Sequence, residues 1–215
     1  MPNFKDLPGV RTVYRSRYAV PVHAFVLDRW NRARYGPSAP RFAERLWIDP
    51  RDVRTFGLHG TIWRSGRVRD DWPEGARPLD EDPVLTCAIA RWRDGLPWEQ
   101  TGEFEMMDRT IARLGHHDGV RTREDVIRRC AQLDEVFREI EREGRVRPRN
   151  EVVPNAFREL GGIGVHIGPD GELVRGINGR HRFAMAWILG IERIPVRIGM
   201  VHRSAIPHLD RMRRP

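Results

Sequence analysis

Between Gly164 and His202 the hydrophobic pattern switches twice, and no other stretch of the chain limits its fold so tightly. GVHIGPDGELVRGI, residues 164–177, predicts strand, turn and strand, because Pro169-Asp170-Gly171 joins a preset φ to a glycine that accepts left-handed geometry. RHRFAMAWILG, residues 180–190, predicts a short helix closed by Gly190. IPVRIGMVH, residues 194–202, predicts a last strand whose Pro195 sits where a missing N–H is tolerated. A hairpin, a helix and a returning strand, preceded by helices, imply an α+β fold with a small mixed sheet and packed helices.

Helical signals fill the preceding segment. Asp82-Pro83 offers a cap followed by proline at the first helical position, and Val84, Leu85, Cys87, Ala88 and Ile89 supply an apolar face that ends by Gly95. A second helix is expected from about Glu103 to Leu114. Thr122-Arg-Glu-Asp125 is a capping box, and apolar residues from Val126 to Ile140 recur at helical spacing until Gly144. Arg145 to Val153 shows no helical face.

Residues 1–80 are less regular. YAVPVHAFVLDRW mixes alternating and apolar runs, and NRARYGPSAP reads as a loop. RFAERLWIDPRDVRTF begins like a short helix that stops near Asp49-Pro50. TIWRSGRVRD reads as a hairpin with Ser65-Gly66 at its turn. Trp47, Trp63 and Trp72 need burial, so this part is expected to pack on the core. The division that follows is a mainly helical N-terminal elaboration over 1–120, a core over 121–206 and a basic tail over 207–215.

The 215 residues suffice for a sizeable core, and 38 Lys plus Arg against 30 Asp plus Glu leave a formal net charge of +8. Arginine supplies nearly all of the positive charge, and its planar fork suits phosphate and carboxylate. Nucleic acid and small anions are both open as partners; arginine-rich usage also follows from genome composition. Cys87 and Cys130 form no CxxC pair or metal cluster, which predicts two buried thiols, and the histidine spacing matches no zinc motif. MPNFKDLPGVRTVY lacks an apolar signal core, and no run of about 18 apolar residues occurs, so a cytoplasmic protein with no membrane contact is expected.

FREIEREGRVRP, residues 137–148, and GELVRGINGRHRFAMAWILGIERIPVRI, residues 171–198, together resemble the ParB-like and sulfiredoxin-like fold family. The shared pattern is a helix ending in glycine with proline soon after, then a strand, a glycine-centred basic loop, a helix, a glycine and an Ile-Pro-Val strand. Members of that family bind nucleotides, act on phosphoryl-bearing substrates, or bind DNA through added helices. The resemblance therefore implies a nucleoside tri- or diphosphate as ligand, with or without Mg²⁺. Sulfiredoxins carry their cysteine where Arg180 stands, which argues against sulfinic-acid reduction. Partition proteins carry Gly-Glu-Arg-Arg where this chain has Gly179-Arg180-His181-Arg182, which argues against CTP hydrolysis and leaves phosphate binding. No helix-turn-helix pattern follows residue 202, so a complete partition protein is not expected.

The residues point the same way without the resemblance. Asn178-Gly179 precedes a helix whose first N–H groups lack partners and whose dipole is positive at that end. The phosphate-binding candidates are Asn178, Gly179, Arg180, His181 and Arg182, with Arg145 and Arg147 from an Arg145/Arg147/Arg149 row that shares one side if extended. Arg180 and Arg182 point different ways on a helix, and the resemblance favours Arg182 for phosphate. The catalytic candidates are Glu139 and Glu143, with Glu141 beside them, as general base or magnesium-linked carboxylate, and His181 in the pocket. Solvated arginines and surface glutamates are the plainer reading. Trp98 is expected in the core, with base stacking as the alternative, and His116-His117 in an exposed turn. Three functions are open: a nucleotide- or phosphate-binding protein acting as phosphotransferase or nucleotide hydrolase, a nucleic-acid-binding protein, and a non-catalytic interaction scaffold.

Overall fold

Capping chemistry sets the helix boundaries. The computed structural model describes residues 19–58, 62–116 and 120–214. Its helices are α1 (Ala19–Tyr35), α2 (Pro83–Ala88), α3 (Glu103–Leu114), α4 (Arg123–Glu143), α5 (Arg149–Val152), α6 (Arg180–Ile188) and α7 (Leu209–Met212). Its strands are β1 (Arg45–Ile48), β2 (Val53–Phe56), β3 (Val68–Arg69), β4 (Arg77–Pro78), β5 (Ile163–Ile167), β6 (Leu173–Arg175) and β7 (Ile194–His202). Thr122 accepts the Asp125 N–H while the Asp125 carboxylate accepts that of Thr122, and Gly144 at φ 64° closes α4. Asp82 accepts the Val84 N–H and Pro83 opens α2, which runs on through a wide-turn segment over Ile89–Arg93.

One mixed sheet organises the described residues, in the order β1-β7-β5-β6-β2-β4, with β3 also pairing with β7. β5 and β6 form the expected antiparallel hairpin, and β7 runs parallel to β5. α6 lies between this sheet and α2, so Phe183, Ala184, Met185 and Ala186 are all buried in succession. The small side chains at 184 and 186 let the helix approach closely. With helices packed on a mixed sheet, the fold is α+β.

Three sequence expectations give way here. NRARY continues α1 as far as Gly36 at φ 85°, because nothing before that glycine breaks the helix. RLWI is β1 rather than helix: it pairs with β7 from Arg45 opposite Arg197 to Ile48 opposite Ile194, and this remote partner overrides local propensity. TIWRSGRVRD is not a hairpin. Ile62–Arg64 is a single tight turn, Gly66 donates to the Gly199 carbonyl at 2.7 Å, and β3 then pairs with β7 in parallel; Thr61 lies outside the described residues. The sheet draws β1 to β4 from residues before 120 and β5 to β7 from those after it, so the N-terminal elaboration packs on the core partly through strand pairing. At the other end the basic tail is docked: α7 buries Leu209 and Met212, and Arg213 Nε donates to buried Glu44 at 2.8 Å.

Candidate functional site

Gly179 fixes the centre of the site. Its φ is 69°, and a Cβ there would come within 2.8 Å of the Ile163 backbone, so the loop rests on β5 as only glycine allows. α6 begins at the next residue with no side-chain cap, which leaves its first N–H groups without a side-chain acceptor. This junction opens onto a cleft of about 410 Å³ between the second half of α4, the segment 145–152 and residues 177–182. Leu133, Val136, Ile140 and Val146 give it apolar surface.

Nine of the ten residues singled out from the sequence for this site line the one cleft. Asn178, Gly179, Arg180, His181 and Arg182 form the α6 side, while Glu139, Glu143, Arg145 and Arg147 form the opposite side. Glu141 lies on a different depression with Gly190 and Glu192. The contacts then divide the nine. Arg147 reaches both glutamates, with Nη1 2.9 Å from Glu139 and Nε 2.7 Å from Glu143, and the Glu143 bond keeps its guanidinium above the ordinary range. Arg145 holds Glu151 at 2.8 Å. Four other half-buried arginines on the cleft form no ion pair with a carboxylate among the described residues, although the Glu159 charge acts on Arg182. Among the described residues Arg129 and Arg180 form no side-chain hydrogen bond or ion pair, and the Arg149 Nε is buried without a partner. Arg182 donates only to the Gly161 carbonyl, at 2.9 Å. Burial, and then the neighbouring Arg149 charge, pull Arg182 below its usual value, the mark of crowded cations in a partly dry site.

His181 has a partner that sequence reasoning missed. Its Nε2 lies 2.9 Å from Oε1 of Glu103, whose side chain is fully buried. The contact holds the imidazole in one orientation against the Glu103 carboxyl group. Two thiols flank this carboxylate. Cys87 and Cys130 are both free and buried, and burial followed by the Glu103 charge pushes each up to about 12, so neither is a nucleophile at neutral pH. Glu103 stands 78 residues from His181, and an acidic residue opening a helix is too ordinary to announce such a role.

The remaining candidates lie elsewhere. Trp98 is core, its Nε1 donating to Asp134 at 3.1 Å. His116 is exposed, and His117 lies outside the described residues. His166 is buried and accepts the Met200 N–H at 2.9 Å. No three histidine, cysteine or carboxylate side chains converge as metal ligands among the described residues, and Glu139 and Glu143 already hold Arg147. This donor set does not fit a Mg²⁺ ion held by the protein alone. No family model, curated protein or solved structure matches the chain. Chemically, the cleft can receive a multiply charged anion at the α6 start, with apolar surface beside it for an attached ring.

Proposed function

We propose that the cleft binds the phosphates of a nucleoside di- or triphosphate. The observation that carries this reading is the set Arg129, Arg149, Arg180 and Arg182, which share the cleft at the uncapped start of α6 and form no ion pair with a carboxylate among the described residues. Like charges held together in a half-buried cleft repel one another, and a polyphosphate relieves that repulsion with charge-assisted hydrogen bonds. The apolar surface of Leu133, Val136 and Val146 suits the nucleoside. Kinship with the ParB-like and sulfiredoxin-like family belongs to the same proposal; its support is the run of strand, glycine loop, helix and strand over residues 171–198, with the loop facing a cleft. If phosphoryl transfer or hydrolysis follows binding, His181 is the group to move the proton, since Glu103 orients it while Arg147 occupies Glu139 and Glu143.

Calorimetric titration with ATP, CTP, GTP and ADP, with and without Mg²⁺, tests the reading. Sub-millimolar binding is expected for at least one nucleotide, weakened about tenfold by Arg180→Ala, which removes a charge-assisted contact. No heat at millimolar nucleotide overturns the proposal. A salt-dependent shift of a DNA or RNA probe in its place would move the reading to nucleic acid.

A further inference from the structure

β7 carries one charged residue within an apolar run, the arginine of Ile-Pro-Val-Arg-Ile-Gly-Met-Val. Arg197 is 4% exposed. Its Nη2 donates to Oδ1 of Asn178 at 3.0 Å, its Nε has no partner, and no carboxylate among the described residues pairs with it. The contrast with Arg175 is direct: that guanidinium is also buried, but Asp82 Oδ2 lies 2.5 Å from it. Nor do the elements packed around Arg197 supply negative charge. On β5, His166 is held down to about 4 by burial and then by Arg197, and is neutral at pH 7. On β1, the opposing Arg45 turns its guanidinium to Glu159 and Asn150. Desolvation brings Arg197 itself down to about 10, so it keeps its charge at neutral pH.

This lone cation lies directly beneath the loop that starts α6. A Cβ on Gly164 would meet Arg197 Nη2 at 3.1 Å and Asn178 Cβ at 3.8 Å. The Gly164 N–H donates to the Asn178 carbonyl at 3.1 Å, and Gly179 follows at once. A buried charge with no counter-ion is strongly unfavourable, yet in a low-dielectric surrounding its field also reaches further than in water. We infer that Arg197 is a buried counter-charge for the anion bound in the neighbouring cleft: a positioning residue that steadies Asn178 and adds its field to the α6 start. The inference rests on the phosphate-binding reading. In its terms the bound phosphates take the place of the missing carboxylate, and the unliganded protein tolerates the strain.

That division of roles separates charge from packing in an experiment. ADP and inorganic pyrophosphate are titrated into wild type, Arg197→Met and Arg197→Lys, and each protein is melted without ligand. Arg197→Met is expected to melt at or above the wild-type temperature while binding both probes about tenfold more weakly, the scale of one charge acting through a partly buried medium. Arg197→Lys is expected within about threefold of wild type, because it keeps the charge and loses only the fork. Wild-type affinity in Arg197→Met overturns the inference, as does equal weakening in both variants. Failure of Arg197→Met to fold also overturns it, since the cation would then be holding the strand in place. A wild-type protein that binds neither probe and none of the other three nucleotides sinks the phosphate reading itself, a result distinct from all of these.

Discussion

The α2 side of the molecule and the cleft at the α6 start use arginine in opposite ways. On the α2 side the buried and half-buried cations Arg175 and Arg91 each meet an anion: Arg175 has Asp82, and Asp134 accepts Arg91 at 2.6 Å, Trp92 at 2.9 Å and Trp98 at 3.1 Å. The cleft is lined by Arg129, Arg149, Arg180 and Arg182, and among the described residues none of them forms an ion pair with a carboxylate. α4 belongs to both regions, presenting Asp134 to the closed network and Arg129 to the open cleft. A net charge of +8 therefore says little about where an anion binds; the distribution of carboxylates among the arginines says more. Satisfied pairs fix the fold, and unsatisfied ones at a helix start leave a place for a ligand.

The comparison breaks most visibly if a closed pair proves dispensable. Asp82→Ala strands Arg175, which is 2% exposed, and removes the α2 cap. A loss of about 3–5 kcal/mol is expected by urea denaturation, because an uncompensated buried charge remains. A loss under about 1 kcal/mol would mean that water reaches Arg175 freely and that the two regions do not differ in kind.

Asp134 gives a smaller effect with a pH signature. Burial alone would raise its carboxyl, but the bonds from Arg91, Trp92 and Trp98 outweigh that and hold it below the ordinary range. A depressed folded value means stability that is complete above the unfolded value of about 3.9 and is lost as pH falls through the lower folded one. Asp134→Asn should cost about 1–3 kcal/mol at pH 7. The gap to wild type should close as the pH drops below about 4. A gap that stays constant into acid would show that shape, not charge, holds the tryptophans.

Features set by neighbouring residues were legible in the sequence. The Thr122–Asp125 box, the Asp82-Pro83 start, the turn at Pro169–Gly171 and the glycine before Arg180 each act within a few residues, so pattern alone locates them. β1 and β3 were not legible, because only pairing with the distant β7 makes strands of such short segments. The cleft's membership could be read from residue type and spacing, but the pairing within it could not. Nothing in EREGRVRPR says that Arg147 folds back on Glu143 while Arg149 stays open, and nothing near Gly102 says that Glu103 will meet His181. One signal was available and went unused: an arginine inside the apolar run of β7.

The finest test of the contrast is to convert one closed pair within the cleft into an open one. Glu143 is only 17% exposed and takes the Nε bond of Arg147, so Glu143→Gln removes the negative charge and keeps a side-chain oxygen to accept it. Arg147 retains Glu139, which holds the guanidinium on the cleft wall. If partner count governs anion binding, nucleotide affinity should rise about threefold, the scale of a partly exposed ion pair, and should fall more steeply with added salt. A lower affinity would mean that Arg147 needs the Glu143 charge to stay in position. Unchanged affinity with abolished turnover, in any nucleotide assay that shows turnover, would return Glu143 to the role of general base and take it from His181.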